Sequence, residues 1–446
     1  MKGVILAAGE GTRLEGVSNV GHKALVKLGG LGLIERLILA FKAQSITEII
    51  IVIGYNGDVL MDHLGGGERY GAKIEYVSNQ EWRRGNGSSL YAAKTALGGE
   101  KFLLSMADHW YEPRLLGGVL GSPMQDVKCV LCTDKNIRNI SDLEDATKAY
   151  IDESGLVKGI GKGLEKYNAV DTGVFILTSE IFDALEESSS KGDYSLTGGV
   201  SVLVQREKLL SHDIGGVMWQ DIDSKEDLAE AERRLFSSLR GEGDGLVATH
   251  INRRLSIHIT KALSKYNVSP NQVSIFAFLI SLASGLLFTM GPLLASMVAG
   301  VLAQLSSVID GTDGEVARLK FLSTRRGQYM DSILDRYGDC AILVGMTYYS
   351  FVSIQEPWVI LVALLALFGS GMSMMSKDVF FRVFQRRFPS ELDRPARFLL
   401  AGRDGRLLII FLGGLTGQIL PTLVLLALTT NLLAAYRLIA VRRLQG

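Results

Sequence analysis

Charged residues vanish from the chain between Lys265 and Asp310, a stretch of 44 positions. A bilayer core needs about 20 apolar helical residues per crossing, so this stretch predicts two spans that turn at Gly291-Pro292. Two more uncharged runs follow at 357–376 and 407–436, the second interrupted by Gly413-Gly414, Gly417 and Pro421. A segment at 327–351 carries acids at its start and is apolar afterwards. The pattern predicts six helices, near 271–290, 293–322, 327–351, 357–376, 405–419 and 421–442. The first half is patterned differently. Short apolar runs at 2–8, 48–54, 73–78, 101–107 and 127–133 alternate with helical segments, one of them at 225–236. An α/β domain with a parallel-type sheet is expected there.

Basic residues fall in every second connection of the apolar half. They precede the first span (Arg253, Arg254, Lys261, Lys265), separate the second from the third (Arg325, Arg326), crowd between the fourth and fifth (Lys377, Arg382, Arg386, Arg387, Arg394, Arg397, Arg403) and follow the sixth (Arg442, Arg443). The connections around Gly291, Glu356 and Gly417 have none. Six spans with both termini on the cytoplasmic side account for this alternation. The first apolar stretch, Val4–Ala8, is too short for a signal peptide, so residues 1–236 are expected in the cytosol. Ser237–Gly245 reads as a hinge. Beyond it, Ile251, Leu255, Ile259 and Leu263 form one apolar stripe in a basic segment without acids. An amphipathic helix at the lipid surface fits the stripe, and a linker helix packed on the soluble domain is the alternative. The expected division is 1–236, a hinge and juxtamembrane helix at 237–265, and a membrane domain at 266–446.

Composition sharpens this picture. A length of 446 residues suggests two to four domains, and 47% hydrophobic residues exclude a disordered chain. Three cysteines exclude a disulfide scaffold, and Cys129 and Cys132 sit in a strand-like run. The zero net charge is a cancellation. Residues 1–236 hold 26 basic and 34 acidic side chains, net −8, and residues 237–446 hold 21 and 13, net +8. No nucleic-acid partner is expected.

The few acids of the basic half cluster where the second predicted span ends and the third begins. Asp310 and Asp313 are spaced i, i+3 on one helix, and Asp331 and Asp335 i, i+4 on the next, so both pairs face inward from adjacent antiparallel helices. Ionisable groups at membrane depth cost at least about 2.5–3.5 kcal/mol each and usually mark function. Four converging carboxylates repel one another unless a cation neutralises them. Hard oxygen ligands favour Mg²⁺ or Mn²⁺, which would bridge to a pyrophosphate. Gly311, Gly314, Ala317 and Gly327 remove bulk on the same surface, and Arg318 can neutralise an acid or hold a phosphate. A cation path of a transporter is a competing use of such acids.

The string from Asp310 to Asp335 matches D-x2-D-G-x2-A-R-x8-G-x3-D-x3-D at all eight fixed positions, and so resembles the CDP-alcohol phosphotransferases. Ser269-Pro270-Asn271-Gln272-Val273 resembles the entry motif of that family. The resemblance implies an all-α, six-transmembrane-helix fold, usually dimeric. It assigns metal binding to Asp310, Asp313 and Asp331 and the general base, also near the metal, to Asp335. It places Asp310, Asp313, Gly314, Ala317, Arg318 and Gly327 around the CDP group. The implied reaction is attack of an alcohol hydroxyl on the phosphorus of a CDP-alcohol, with release of CMP.

In the first half, a buried strand at 2–8 leads into Gly9-Glu10-Gly11-Thr12-Arg13, and glycines after a strand let backbone N–H groups face a phosphate. The loop lacks the Lys-Ser/Thr of a Walker motif and the third glycine of a Rossmann fingerprint. With Lys23 it resembles the sugar-phosphate nucleotidyltransferases, an α/β, Rossmann-like fold. That likeness implies a nucleoside-triphosphate site from Leu6, Ala7, Ala8, Gly9, Gly11, Thr12, Arg13 and Lys23, and a base- and ribose-contacting turn at Gly85, Asn86 and Gly87. It implies metal carboxylates at Asp108 and Asp223, again for Mg²⁺ or Mn²⁺. Lys162, Lys166 and Asp171 resemble the substrate side of the inositol-phosphate cytidylyltransferases. The family usually has proline before the signature lysine; here His22 stands there, which predicts a more mobile loop.

A CDP-activating half joined to a CDP-consuming half suggests consecutive steps from CTP and a polyol phosphate. A phosphorylated acceptor would need cations near Asp335, for which Arg382, Arg386, Arg403 and Arg406 are candidates. Positive-inside topology or contact with anionic lipid headgroups would explain the same arginines. Two other functions stay open: a phospholipid synthase with a degenerate first half, and a cation transporter with a cytosolic nucleotide-sensing domain.

Overall fold

The computed structural model describes every residue except 12–20, 123–128, 141–142, 240–246 and 445–446, so Thr12, Arg13 and most of the expected hinge lie outside the described residues. The chain divides into two compact units, Met1–Ser238 and Leu239–Gly446.

The first unit is built on a nine-stranded sheet. β1 (Lys2–Ala7), β2 (Glu48–Ile53), β3 (Lys73–Ser78) and β4 (Phe102–Met106) are mutually parallel in the order β4-β1-β2-β3. Val4, Ile5, Ile51, Val52, Leu103 and Leu104 are fully buried, as expected for strands covered on both faces. A short strand β5 (His109–Tyr111) leaves the end of β4, and β6 (Cys129–Asp134) carries both cysteines inward. The other half departs from the expected parallel sheet. β7 (Lys148–Ile151), β8 (Val157–Gly161) and β9 (Ala169–Leu177) follow, and β9 runs antiparallel to β4, β6 and β7. β7 and β8 also pair antiparallel, and residues 152–156 joining them are too few for the crossover that parallel pairing needs. β10 (Leu209–Asp213) pairs β6 in parallel, and β11 (Trp219–Asp221) pairs β5. Helices α1 (Leu33–Ala43), α2 (Asn86–Ala92), α3 (Leu196–Gln205) and α4 (Lys225–Ser238) accompany these strands. The carboxyl ends of β1 and β4 open on the same edge, where a parallel sheet offers its ligand crevice.

The second unit is helical. After a π-turn at Ala248–Asn252 come α5 (Arg253–Leu263), α6 (Pro270–Met290), α7 (Leu293–Leu319), α8 (Arg325–Ile354), α9 (Trp358–Phe384), α10 (Arg403–Thr416) and α11 (Ile419–Ala440). α6 starts at a capping box in which Ser269 accepts from the Gln272 N–H and Gln272 accepts from the Ser269 N–H, with Pro270 at the first helical position. α8 starts at Thr324, whose hydroxyl accepts from the Gly327 N–H. By length and composition, α6, α7, α9 and α11 can each cross a membrane. α8 is long but charged in its first half, and α10 has only 14 residues.

α6 packs against both α7 and α8. Gly285 and Gly345 make the second contact a backbone-to-backbone one. A Cβ on Gly345 would overlap the Gly285 carbonyl, and one on Gly285 would meet Ala341. Gly345→Val is therefore expected to cost at least about 1–3 kcal/mol, because backbone cannot move aside as a side chain can. Thermal unfolding of the solubilised protein checks this: an unchanged midpoint would contradict the close crossing.

On α5 the polar face is the buried one. Ile259 and Leu263 pack towards Val273, Ala277 and Ile309, but Ile251 and Leu255 are exposed, and the residues buried on this segment are Asn252, Ser256 and Thr260. A buried acid of α7 explains this preference, as described below.

Candidate active sites

In the first unit, Lys23 opens a short 3₁₀ turn and its ammonium lies 2.9 Å from Asp108 and 2.5 Å from Asp223. Gly11 has φ +64°, and a Cβ there would lie 2.6 Å from that of Lys23, so glycine lets the lysine cross the loop. Burial opposes the charge on Lys23, but Asp108 and Asp223 outweigh it and hold the pKa above its usual value. His109 sits 2.8 Å from Asp108 and 3.6 Å from Asp221. Burial works against its charged form as well, yet Asp221 and Asp108 raise its pKa to about 9. Burial pushes Asp171 and Asp221 up to about 6.

One oxygen or nitrogen from each of Asp108, His109 and Asp221 lies within 4.8 Å of the others, so these three can hold a metal ion. The expected pair, Asp108 and Asp223, meets at Lys23 instead. Spacing alone did not single out His109 or Asp221. A His after a strand-end Asp is a weak signal, and Asp221 comes alongside only because β11 pairs with β5.

His109, Asp171, Asp221 and Asp223 line a cavity of about 670 Å³ together with Asn86 and Lys162 among others. Asp134 and Trp219 also line it, joined by a 2.9 Å bond from the indole N–H. Lys162 pairs with Asp145 at 2.5 Å, whereas Lys166 is exposed over the Tyr150 ring and is not part of the lining. Gly85 and Gly87 lie against the backbone of Tyr194 and Ser195, and the Asn86 side-chain oxygen accepts from the Leu196 N–H at 2.8 Å. That turn thus anchors α3. Leu6, Ala7 and Ala8 are buried and Gly9 is exposed at the strand end.

The loop expected to be more mobile for want of proline, residues 12–20, lies outside the described residues, but His22 itself is described. It is buried and N-caps the turn, Nδ1 accepting from the Ala24 N–H at 3.1 Å. An accepting Nδ1 requires the neutral ring, and burial holds its pKa below the usual 6.5. A lowered folded value means stability fully present above pH 6.5 and lost as pH falls through that folded value. His22→Pro should therefore retain stability on acidification that the natural chain loses. Asp171 and Asp221 act in the opposite sense, but both chains share them, so the difference in thermal midpoint isolates His22. A difference already present at pH 8 and constant below it would contradict this assignment.

In the second unit, Asp310, Asp313 and Asp331 bring one carboxylate oxygen each within 4.8 Å of the others, across α7 and α8. Three hard oxygen donors at this separation suit a divalent cation. The Ser274 hydroxyl donates to Asp313. Arg403 ties Asp335 to these acids, its guanidinium lying 2.5 Å from Asp310, 2.9 Å from Asp335 and 3.4 Å from Asp339. Arg406 is buried and spends its donors on Asp339 (2.6 Å), Ser373 (3.0 Å) and the Ala401 carbonyl (3.2 Å). It faces inward and is thus poorly placed for a substrate phosphate, unlike the expectation. Arg382 and Arg386 are exposed.

A Cβ on Gly314 would come within 3.1 Å of the Arg318 guanidinium, which donates to the Leu239 carbonyl at 2.7 Å. Ala317 is half-buried on the same helix, and the Gly327 N–H donates to the capping Thr324 hydroxyl at 3.0 Å at the start of α8. Asp339 was not anticipated, although it continues the i, i+4 series from Asp331 and Asp335. Glu315 is fully buried and accepts from Arg253, Ser256 and Thr260. This acid is what turns the polar face of α5 inward.

Residues 3–140 match the MobA-like NTP transferase domain family, and residues 267–400 match the CDP-alcohol phosphatidyltransferase family. A bifunctional IPC transferase and DIPP synthase of Thermococcus kodakarensis is 36% identical, covering 98% of this chain and 95% of that protein. Its counterpart in Aquifex aeolicus is 34% identical, covering 96% of this chain and 95% of that protein. The solved inositol-1-phosphate CTP transferase from T. maritima aligns with a TM-score of 0.47 at 25% identity, covering 52% of this chain and 95% of that one.

Proposed function

Because this chain belongs to the family of bifunctional IPC transferases and DIPP synthases, we propose that its two halves run consecutive reactions on a polyol phosphate. It is an enzyme, a CDP-alcohol phosphotransferase with an N-terminal cytidylyltransferase domain. In the first step, a phosphate oxygen of inositol 1-phosphate attacks the α-phosphorus of CTP, and the bond to pyrophosphate breaks. Lys23 and Arg13 offset the charge of the triphosphate, and N–H groups of Gly9 and Gly11 face it. Lys162 or Lys166 holds the polyol phosphate, with Lys162 and Asp171 in the cavity lining the better placed for the substrate side.

In the second step, a hydroxyl of the acceptor attacks the phosphorus joined to the donor inositol. Asp335 takes the proton as the bond to CMP breaks. Gly314, Ala317, Arg318 and Gly327 line the CDP group. When bound at either carboxylate set, Mg²⁺ or Mn²⁺ would neutralise phosphate charge. The acceptor is a second inositol phosphate, and Arg403 is the candidate cation that already faces the acids. The observation that carries this reading is the convergence of Asp310, Asp313 and Asp331 from adjacent helices.

The domains run 1–236, 237–265 and 266–446. The last spans the bilayer six times, with both termini and the first domain cytoplasmic, and forms a homodimer. Neither a lipid acceptor nor a transporter is favoured, since the relatives match both halves in one chain. Purified protein given Mg²⁺, CTP and a panel of phosphorylated polyols is expected to release pyrophosphate with inositol 1-phosphate and then CMP. Pyrophosphate release with none of the panel would sink the first step, and product mass identifies the acceptor.

A further inference from the structure

We propose that Glu315 and Arg253 are positioning residues of the membrane site, making α5 a working part of it. This rests on the reading that Asp310, Asp313 and Asp331 hold the metal. Glu315 is fully buried, and a buried carboxylate is costly unless paired and hydrogen-bonded. All three of its donors come from α5: Arg253 at 2.8 Å, Ser256 at 2.6 Å and Thr260 at 2.5 Å. They are spaced i, i+3, i+7, so one face of one helix satisfies the charge.

The same arginine nitrogen donates to the Gly311 carbonyl at 3.0 Å, between the two metal-site aspartates of α7. A Cβ at Gly311 would lie 3.3 Å from that nitrogen, so glycine there leaves the guanidinium room. One residue earlier, Asn252 donates to Ser307 (2.9 Å) and to Asp404 (3.3 Å), the neighbour of the arginine that spans Asp310 and Asp335. Apolar residues would fill this contact with no charge to desolvate. What the ion pair adds is direction. It fixes the rotation of α7 about its axis, and hence where Asp310 and Asp313 point.

Full-length protein in detergent, titrated with Mn²⁺ and followed by electron paramagnetic resonance, tests this. The relevant ions are those lost in Asp313→Asn. Glu315→Gln and Arg253→Ala are expected to bind them about 10–100-fold more weakly, the usual effect of losing a group that orients metal ligands. Thr260→Val should fall between these and the natural chain, and Arg253→Lys should recover most of the loss. The Mg²⁺ needed for half-maximal CMP release should rise in parallel, with pyrophosphate release unchanged. If Asp313→Asn loses no Mn²⁺, the reading of the acids falls and the proposal with it. If it does, while Glu315→Gln and Arg253→Ala bind Mn²⁺ like the natural chain, the proposal alone falls.

Discussion

Asp335→Asn is expected to slow CMP release by about 10²–10⁴-fold, the range over which a positioned base contributes. At about 1.4 kcal/mol per decade this is roughly 3–5 kcal/mol of barrier. Asparagine has the same shape and can still accept from Arg403, which also retains Asp310 and Asp339. The site should therefore stay assembled while losing its proton acceptor. Release of pyrophosphate from CTP should be unchanged, since Asp335 belongs to the second unit. Single-turnover CMP release from a supplied CDP-alcohol makes the comparison cleanly. A variant with the natural rate would remove Asp335 as the base.

Lys23→Met should have the complementary effect, lowering pyrophosphate release by about 10²–10³-fold and leaving CMP release from a supplied CDP-alcohol intact. The geometry argues for two losses at once. Methionine removes the cation that offsets triphosphate charge, and it leaves Asp108 and Asp223 without the ammonium that both contact. Raised Mg²⁺ should recover part of the rate in Lys23→Met, because a divalent cation can take up the repulsion between those carboxylates. Uniform loss at all Mg²⁺ concentrations would argue that Lys23 acts on the nucleotide alone. No loss would end its assignment.

Much of this was legible in the sequence because period and spacing are local. The apolar runs at 2–8, 48–54 and 73–78 became β1, β2 and β3 within a residue. The i, i+3 and i, i+4 pairs placed the aspartates on facing helices. What escaped was non-local. The antiparallel pairing of β7 with β8 depends on the length of a connection. Asp221 reaches His109 only through the pairing of β11 with β5. Glu315 looked like a variable position in a motif, since its donors lie 55–62 residues earlier. The stripe in α5 predicted an apolar face turned to its surroundings. It could not show that the opposite face had a carboxylate to satisfy.

The shortness of α10 has a consequence of its own in the six-span reading. Fourteen residues rise about 21 Å, some 9 Å less than a hydrocarbon core of about 30 Å. Such a mismatch is relieved by local thinning of the bilayer or by water reaching down to the helix end. The end at which α10 begins carries Arg403, against Asp310 and Asp335. A dimple of water at that point would let a highly polar inositol phosphate meet the carboxylates without leaving solution. The rate of transfer should then depend on lipid chain length, with thick bilayers closing the dimple and slowing the enzyme.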